Sequence, residues 1–237
     1  MKLMIASDLH GSAHYVKKFL DRYRAEAPDR LLLLGDLLYH GPRNPLPQDY
    51  DCPAVADALN AVRDRLLTVR GNCDCEVDQM LLHFPILADY ALLEVNGLTL
   101  YATHGHLFGP DHLPEMAGPY VLLSGHTHVP MCEQRGEALC LNPGSVSIPK
   151  GGSVGSYVVL EGKTFSWKNL EGEVYQSHTV EGFFGASGPR TPGYFSLAGK
   201  VPKRAHKGGT LSMGSLPYVS LPHDDTKGAM PPLESPA

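Results

Sequence analysis

Up to about residue 72 the chain alternates short apolar runs with amphipathic stretches. Lys2–Ser7 (KLMIAS) reads as a buried strand. His14–Ala27 places Val16, Phe19, Leu20, Tyr23 and Ala27 at three- and four-residue steps, the stripe of a helix with one buried face. Ser12 is positioned to cap its start and Pro28 to stop it. Leu31–Leu34 is a second buried run, ending in Gly35-Asp36. A second stripe (Val55, Leu59, Val62, Leu66) predicts a helix over Ala54–Arg65, and Leu66–Arg70 predicts a third strand that ends in Gly71-Asn72. This β-α-β-α-β order implies a parallel sheet with right-handed crossovers.

The following hundred or so residues carry more strand signal. Leu92–Val95 and Thr99–Thr103 flank Asn96-Gly97, a strong hairpin turn. Val121–Ser124 runs into Gly125, and Ala138–Leu141, Tyr157–Leu160 and Thr164–Asn169 follow, the last two joined at Glu161-Gly162. The expected class is α/β: two sheets packed face to face as a β-sandwich with flanking helices. From Glu181 the pattern stops. That segment holds nine Gly and eight Pro and has no sustained period, so residues 1–180 are expected to form the domain and 181–237 a disordered Gly/Pro-rich tail.

Composition narrows the function. With 237 residues, 43% apolar, one domain can bury a sizeable core. The formal net charge of −5 argues against a protein that binds nucleic acid mainly by charge. No apolar run approaches the roughly 20 residues of a membrane helix. A four-residue apolar run before Asp8 is too short for a secretory signal. Five cysteines, an odd number without such a signal, suggest a reducing cytoplasm and not a disulfide scaffold. The twelve histidines are the unusual feature.

Several of those histidines, with carboxylates and an amide, terminate strands. The strand ends read Asp8-Leu9-His10, Gly35-Asp36, Gly71-Asn72-Cys73-Asp74, His104-Gly105-His106 and Gly125-His126-Thr127-His128. In parallel sheets the carboxyl ends of strands form the ligand-binding rim, so side chains distant in sequence can meet there. Carboxylate oxygen, amide oxygen and imidazole nitrogen suit divalent transition metals better than a closed thiolate site would. Two cations close together repel and need a bridging anion. If D-x-H and H-x-H are extended, alternation turns Asp8 with His10, and His126 with His128, toward one point. The glycines at 35, 71, 105 and 125 fit tight turns or close approaches.

The segments DLH, GDLL, GNCD, HGH and GHTH, in that order, resemble the calcineurin-like metallophosphoesterase superfamily. HGPRN, EVDQMLLHFPI, THGHLFGP and NPGSVSIPKGG resemble its YfcE-like branch of small bacterial phosphodiesterases, over about residues 1–180. The resemblance implies a four-layer αββα arrangement and two divalent ions. It places Asp8, His10, Asp36 and His128 on one ion and Asp36, Asn72, His104 and His126 on the other, with Asp36 bridging. Mn²⁺ is the foremost candidate, and Zn²⁺, Fe²⁺, Co²⁺ or Ni²⁺ can use the same donors. Many superfamily members carry His after the Asn of the third motif; this chain has Cys73, a weaker proton donor at neutral pH.

The implied activity is hydrolysis of a small phosphodiester by in-line attack of a hydroxide bridging the metals. Asn72 would assist at a phosphoryl oxygen, and His40 and Arg43 would form a substrate shell past Asp36. The alternatives are a phosphomonoesterase acting on small molecules and a non-catalytic, Vps29-like binding scaffold. His106 is read as supporting the site without ligating. Cys73 is expected to line the site while Cys75 starts a short helix. The apolar stretch Met80–Ile86 is a candidate homo-oligomer interface, and no membrane partner is expected.

Overall fold

The computed structural model describes residues 1–181 and a strand at Phe195–Ala198. The remainder of the expected tail lies outside the described residues. The element order is β1 (Leu3–Ala6), α1 (Ala13–Glu26), β2 (Arg30–Leu33), α2 (Cys52–Asn60), a 3-10 turn at Arg63–Arg65, β3 (Leu66–Thr68), α3 (Glu76–Leu81), β4 (Tyr90–Val95), β5 (Leu98–Thr103), β6 (Tyr120–Leu123), β7 (Met131–Arg135), β8 (Ala138–Asn142), β9 (Ser156–Glu161), β10 (Thr164–Asn169), β11 (Val174–Thr179) and β12 (Phe195–Ala198).

Local chemistry sets the helix ends. Ser12 caps α1 by accepting from the Tyr15 N–H, and Ala27 ends it in a left-handed conformation just before Pro28. Helix α2 begins two residues earlier than the stripe implied. Asp51 caps it, and Pro53 fits the first turn, where its missing N–H has no helical partner to lose. It also stops at Asn60, short of the expected Arg65. The Asn60 side chain donates to the Leu81 carbonyl and accepts from the His83 N–H, tying the chain there to the segment after α3.

One sheet has the order β11-β10-β9-β1-β2-β3 and the other β12-β4-β5-β6-β8-β7. Strands β1, β2 and β3 run parallel, as do β5, β6 and β8. Asn96-Gly97 makes the β4–β5 hairpin, with Val95 opposite Leu98. Alternation along β1 splits the core. Leu3 and Ile5 point between the sheets, against Leu100, Val121 and Trp167, while Met4 and Ala6 pack against Val16, Phe19 and Val55 of α1 and α2. Trp167 is fully buried, and its indole N–H donates to the Asn142 carbonyl at 2.7 Å.

The outer face of the second sheet carries Tyr101, Tyr120, Leu122 and Cys140. Among the described residues no helix covers it. The connection between β5 and β6 does so instead, through Phe108, Leu113 and Met116. Alternation also divides the Met80–Ile86 stretch: Leu82, Phe84 and Ile86 enter the core, leaving Met80 and Leu81 exposed. No helix of the described residues is long and apolar enough to cross a membrane.

The parallel trio of each sheet ends at one shared rim. The Asp8 N–H bonds the Gly35 carbonyl, the Val146 N–H bonds that of Ser7, and the Gly125 N–H bonds that of His104. The His126 N–H donates to the Asp8 carboxylate at 3.1 Å, so the turns after β1, β2, β5, β6 and β8 are joined to one another.

Candidate metal centre

At that rim the backbone leaves the extended region. Asp8 (φ 59°), His10 (φ 48°), Asp36 (φ 55°), His126 (φ 66°) and His128 (φ 62°) are all left-handed. The alternation expected for D-x-H and H-x-H is therefore not what aims these pairs, because the strands end at Ala6 and Leu123 and tight left-handed turns follow. Each such residue with a Cβ costs roughly 1–2 kcal/mol, so the turns need external support. The Leu9 and His10 N–H groups both donate to the Asp36 carbonyl, at 3.0 and 2.9 Å. The Asp8 carbonyl accepts from the Ser145 and Ser147 hydroxyls, at 2.8 and 3.1 Å. Gly125 lies so close to Asp8 that a Cβ there would overlap the Ser7 hydroxyl and the Asp8 carboxylate.

Three imidazoles are oriented by backbone carbonyls. His10 Nδ1 meets the Tyr39 carbonyl at 2.9 Å, His104 Nδ1 that of Leu34 at 2.7 Å, and His128 Nδ1 that of Ile148 at 2.6 Å. A carbonyl only accepts, so each Nδ1 carries the proton, and in the neutral ring each Nε2 presents its lone pair to the site.

Two donor sets result. In the first, Asp8 Oδ1 lies 3.3 Å from His128 Nε2 and 3.6 Å from His10 Nε2. The two Nε2 atoms are 3.2 Å apart. Asp8 Oδ1 is buried with no hydrogen-bond partner. Two lone pairs and an orphaned anionic oxygen converging in a buried space repel one another unless a proton or a metal cation lies among them. These residues therefore fit a divalent metal. In the second set, His104 Nε2 is 3.4 Å from Asp36 Oδ2 and 3.0 Å from Asn72 Oδ1. The Asn72 amide NH₂ points away, donating to Cys73 Sγ at 3.2 Å, which turns its oxygen inward. The His126 ring centroid is 5.1 Å from that of His104. Asp36 joins the sets, with Oδ2 also 3.7 Å from His10 Nε2.

Charge follows position. Burial opposes ionisation of Asp8, but the imidazoles of His10 and His128 against it, with His104 nearby, hold its carboxyl well below the usual carboxylate range. Asp36 is lowered as well: burial works against it, and His104 outweighs the burial. His104, whose burial alone would favour the neutral ring, is raised to about 9 by Asp36 and Asp8. A metal ion competes with that proton for the same Nε2. Burial and the neighbouring His104 lower His126. Burial, then the charges of Asp36, Asp74 and Asp8, raise the Cys73 thiol. Cys73 is thus a neutral thiol beside the site, while its N–H donates to Asp36 Oδ1 at 2.8 Å. Cys75 caps α3.

Donor atoms of Asp8, His10, Asp36, Asn72, His104 and His128 each lie within 3.7 Å of another of the set, while His126 is placed beside them by its ring, 5.1 Å from that of His104. Of the expected substrate shell, Arg43 lines the adjoining cleft of about 530 Å³ along with Asp36, Asn72, Cys73, His126 and His128. His40 does not line the cleft; its ring packs edge-on against Tyr39 and Tyr50. His106 stands 5.4 Å from His104, centroid to centroid, and is lowered to about 4 by burial and by the neighbouring His104 and His126.

Two further residues were not singled out from the sequence. Lys150 lines the cleft. The buried Asp74 carboxylate accepts from the Asp36 and Gly71 N–H groups through Oδ2 (2.9 and 2.7 Å) and from the Leu37 N–H through Oδ1 (2.9 Å). Burial beside Asp36 outweighs these donors and raises Asp74 to about 6. It fastens the turn carrying Asp36 to the turn carrying Asn72. A carboxylate two residues past a strand-end amide was the available signal.

A family model for the calcineurin-like phosphoesterase superfamily domain matches residues 1–164. The chain is 51% identical to phosphodiesterase YfcE of Escherichia coli K12 over 166 residues, covering 70% of this chain and 90% of that protein. It is 28% identical to the probable metallophosphoesterase YsnB of Bacillus subtilis, over 68% of this chain and 83% of the other. A solved structure of E. coli YfcE, a phosphoesterase, superposes with a TM-score of 0.74 at 47% identity, covering 76% of this chain and all of that one. With its donors gathered on the rim shared by two sheets, the chain belongs to the calcineurin-like phosphoesterase superfamily.

Proposed function

We propose that the protein hydrolyses phosphodiesters with two divalent cations, Mn²⁺ foremost. Asp8, His10, Asp36 and His128 would hold one, and Asp36, Asn72, His104 and His126 the other. The observation that carries this reading is the position of Asp36 Oδ2, 3.7 Å from His10 Nε2 and 3.4 Å from His104 Nε2, between two sets of inward-facing lone pairs. Bound there, such cations supply Lewis acidity toward phosphoryl oxygens and lower the pKa of water.

The chain's own groups do the rest. The three backbone carbonyls at Nδ1 aim Nε2 of His10, His104 and His128 inward, where a cation would replace the proton that Asp36 and Asp8 favour on His104. The Cys73 N–H and Asp74 fix the bridging carboxylate and its turn. The exposed Arg43 stands in the cleft beside the centre, where its planar fork suits an anionic group of the substrate. Protonation of the leaving group is the weak step, because the position facing the cleft after Asn72 carries a neutral thiol of raised pKa. Such a site favours leaving groups that depart without a proton. That fits a preference for activated diesters over monoesters. Five free cysteines fit a reducing, cytoplasmic setting.

The test is turnover of a bis-aryl and a mono-aryl phosphate by the Mn²⁺-loaded protein, with Asp36→Asn alongside. The diester should turn over faster, and Asp36→Asn should lose both turnover and most bound metal. Faster monoester turnover would replace the diester reading with a phosphomonoesterase. A folded protein that takes up no divalent ion would leave only a binding scaffold.

A further inference from the structure

Arg43 and Lys150 reach the same cleft from different sheets. Arg43 sits in the connection after β2, and Lys150 in the connection after β8. Both are exposed, and neither has an ion-pair partner among the described residues. The only acidic residue lining the cleft is Asp36, whose oxygens face the metal centre.

Both residues stand on fixed backbone. Asn44 Nδ2 donates to the His40 carbonyl at 2.9 Å, closing the loop that carries Arg43. The Lys150 N–H donates to the His128 carbonyl at 3.1 Å, and its own carbonyl accepts from Ser153. Two residues before it, the Ile148 carbonyl holds His128 Nδ1. Lys150 is therefore braced against the same histidine that lines the centre.

Charge balance gives these cations a purpose, on the dinuclear reading above. Two divalent ions with Asp8 and Asp36 leave two positive charges. An attacking hydroxide and a diester monoanion cancel both. Arg43 and Lys150 are then surplus for a simple diester, yet they face a cleft the size of a small-molecule site. We propose that Arg43 and Lys150 form an anion subsite beside the metal centre, and that the preferred substrates are phosphodiesters carrying a further phosphate group.

Two partly solvated contacts of about 0.7 kcal/mol each amount to about tenfold in affinity. A matched pair of probes reads this directly: the 4-nitrophenyl diester of thymidine 5′-phosphate, with and without a 3′-phosphate. Turnover gives KM and kcat for each. Calorimetry with thymidine 3′,5′-bisphosphate and thymidine 5′-monophosphate gives a binding readout that needs no catalysis. In the wild type the extra phosphate should lower KM and Kd about tenfold, with kcat little changed, and raised salt should shrink the gain. Lys150→Met should reduce the gain to about threefold, Arg43→Met/Lys150→Met should abolish it, and Lys150→Arg should retain it. No gain in the wild type, or a gain unaltered in the double variant, overturns the subsite, while turnover of the simple diester shows that the phosphodiesterase reading stands. Absence of all diester turnover and of all nucleotide binding in the Mn²⁺-loaded protein overturns both.

Discussion

Asp74→Ala tests whether the two turns that carry Asp36 and Asn72 are held as one unit. The wild-type carboxylate receives three buried backbone N–H groups, from Asp36, Leu37 and Gly71. Alanine leaves all three without an acceptor. A buried donor left unsatisfied costs about 1–3 kcal/mol, so the loss begins at about 3 kcal/mol, a large share of a typical domain's net stability. Relief from burying the carboxylate, whose pKa is raised to about 6, offsets a part of this. Asp74→Asn is the control. Its amide oxygen can occupy the Oδ2 position and keep the Asp36 and Gly71 bonds, leaving only the Leu37 N–H against an NH₂ group. Its loss should be about a third of alanine's.

Urea unfolding in the presence of chelator measures stability free of metal linkage. Titration with Mn²⁺ measures the centre. Asp74→Ala should lower Mn²⁺ affinity about 10–100-fold, the range for a group that orients a ligand, and Asp74→Asn by much less. An alanine variant within about 0.5 kcal/mol of wild type, with unchanged Mn²⁺ affinity, would refute the clamp.

Three other substitutions probe different links. Cys73→His places an imidazole where the thiol faces the cleft, and should raise turnover of esters with poor leaving groups more than that of bis-aryl phosphate; an equal change in both, measured as kcat/KM, would contradict the missing-acid account. Gly125→Ala drives a methyl into the Ser7 hydroxyl and the Asp8 carboxylate, so metal uptake measured by elemental analysis should fall sharply, and normal uptake would show that the rim can relax. Glu26 is half-buried yet its carboxyl lies below the ordinary 4.5, because Lys168 and Lys2 outweigh the burial. A depressed pKa contributes stability above the unfolded value and loses it as pH falls through the folded one. Glu26→Gln should thus cost about 1–2 kcal/mol at pH 7, with the Tm gap to wild type closing as pH drops below 4.5, whereas a gap independent of pH would contradict the ion-pair assignment.

The parallel trio β1-β2-β3 and the Asn96-Gly97 hairpin were legible because burial imposes a period and a turn imposes a residue type. Strands β7 (MCEQR) and β11 (VYQSHT) were not. They lie at sheet edges, and their mostly exposed side chains leave no apolar alternation to read. Strand β12 sits where Gly and Pro dominate the composition, and its four residues pair with β4 by backbone bonds that any sequence without proline can make. The donors at the rim were visible as residue types at strand ends. Asp74 was visible as a carboxylate two residues past Asn72, but its role was not, because its partners are backbone N–H groups, which have no signature of their own.

What the sequence pattern misplaced is the cause of convergence. Alternation would have aimed Asp8 with His10, and His126 with His128, at no conformational cost. The chain instead sets five donors at positive φ, where glycine would be comfortable but can supply no ligand. At about 1 kcal/mol each, the combined strain approaches a domain's entire net stability. It persists because each turn is bonded to a neighbour from another strand: Leu9 and His10 to Asp36, Asp36 and Gly71 to Asp74, His126 to Asp8, and Asp8 to Ser145 and Ser147. These bonds run between strand ends whose spacing is set by the two sheets, so relaxing one donor would strain another. The donors thus stand aimed by the fold itself, and a cation entering the centre has little backbone left to reorganise.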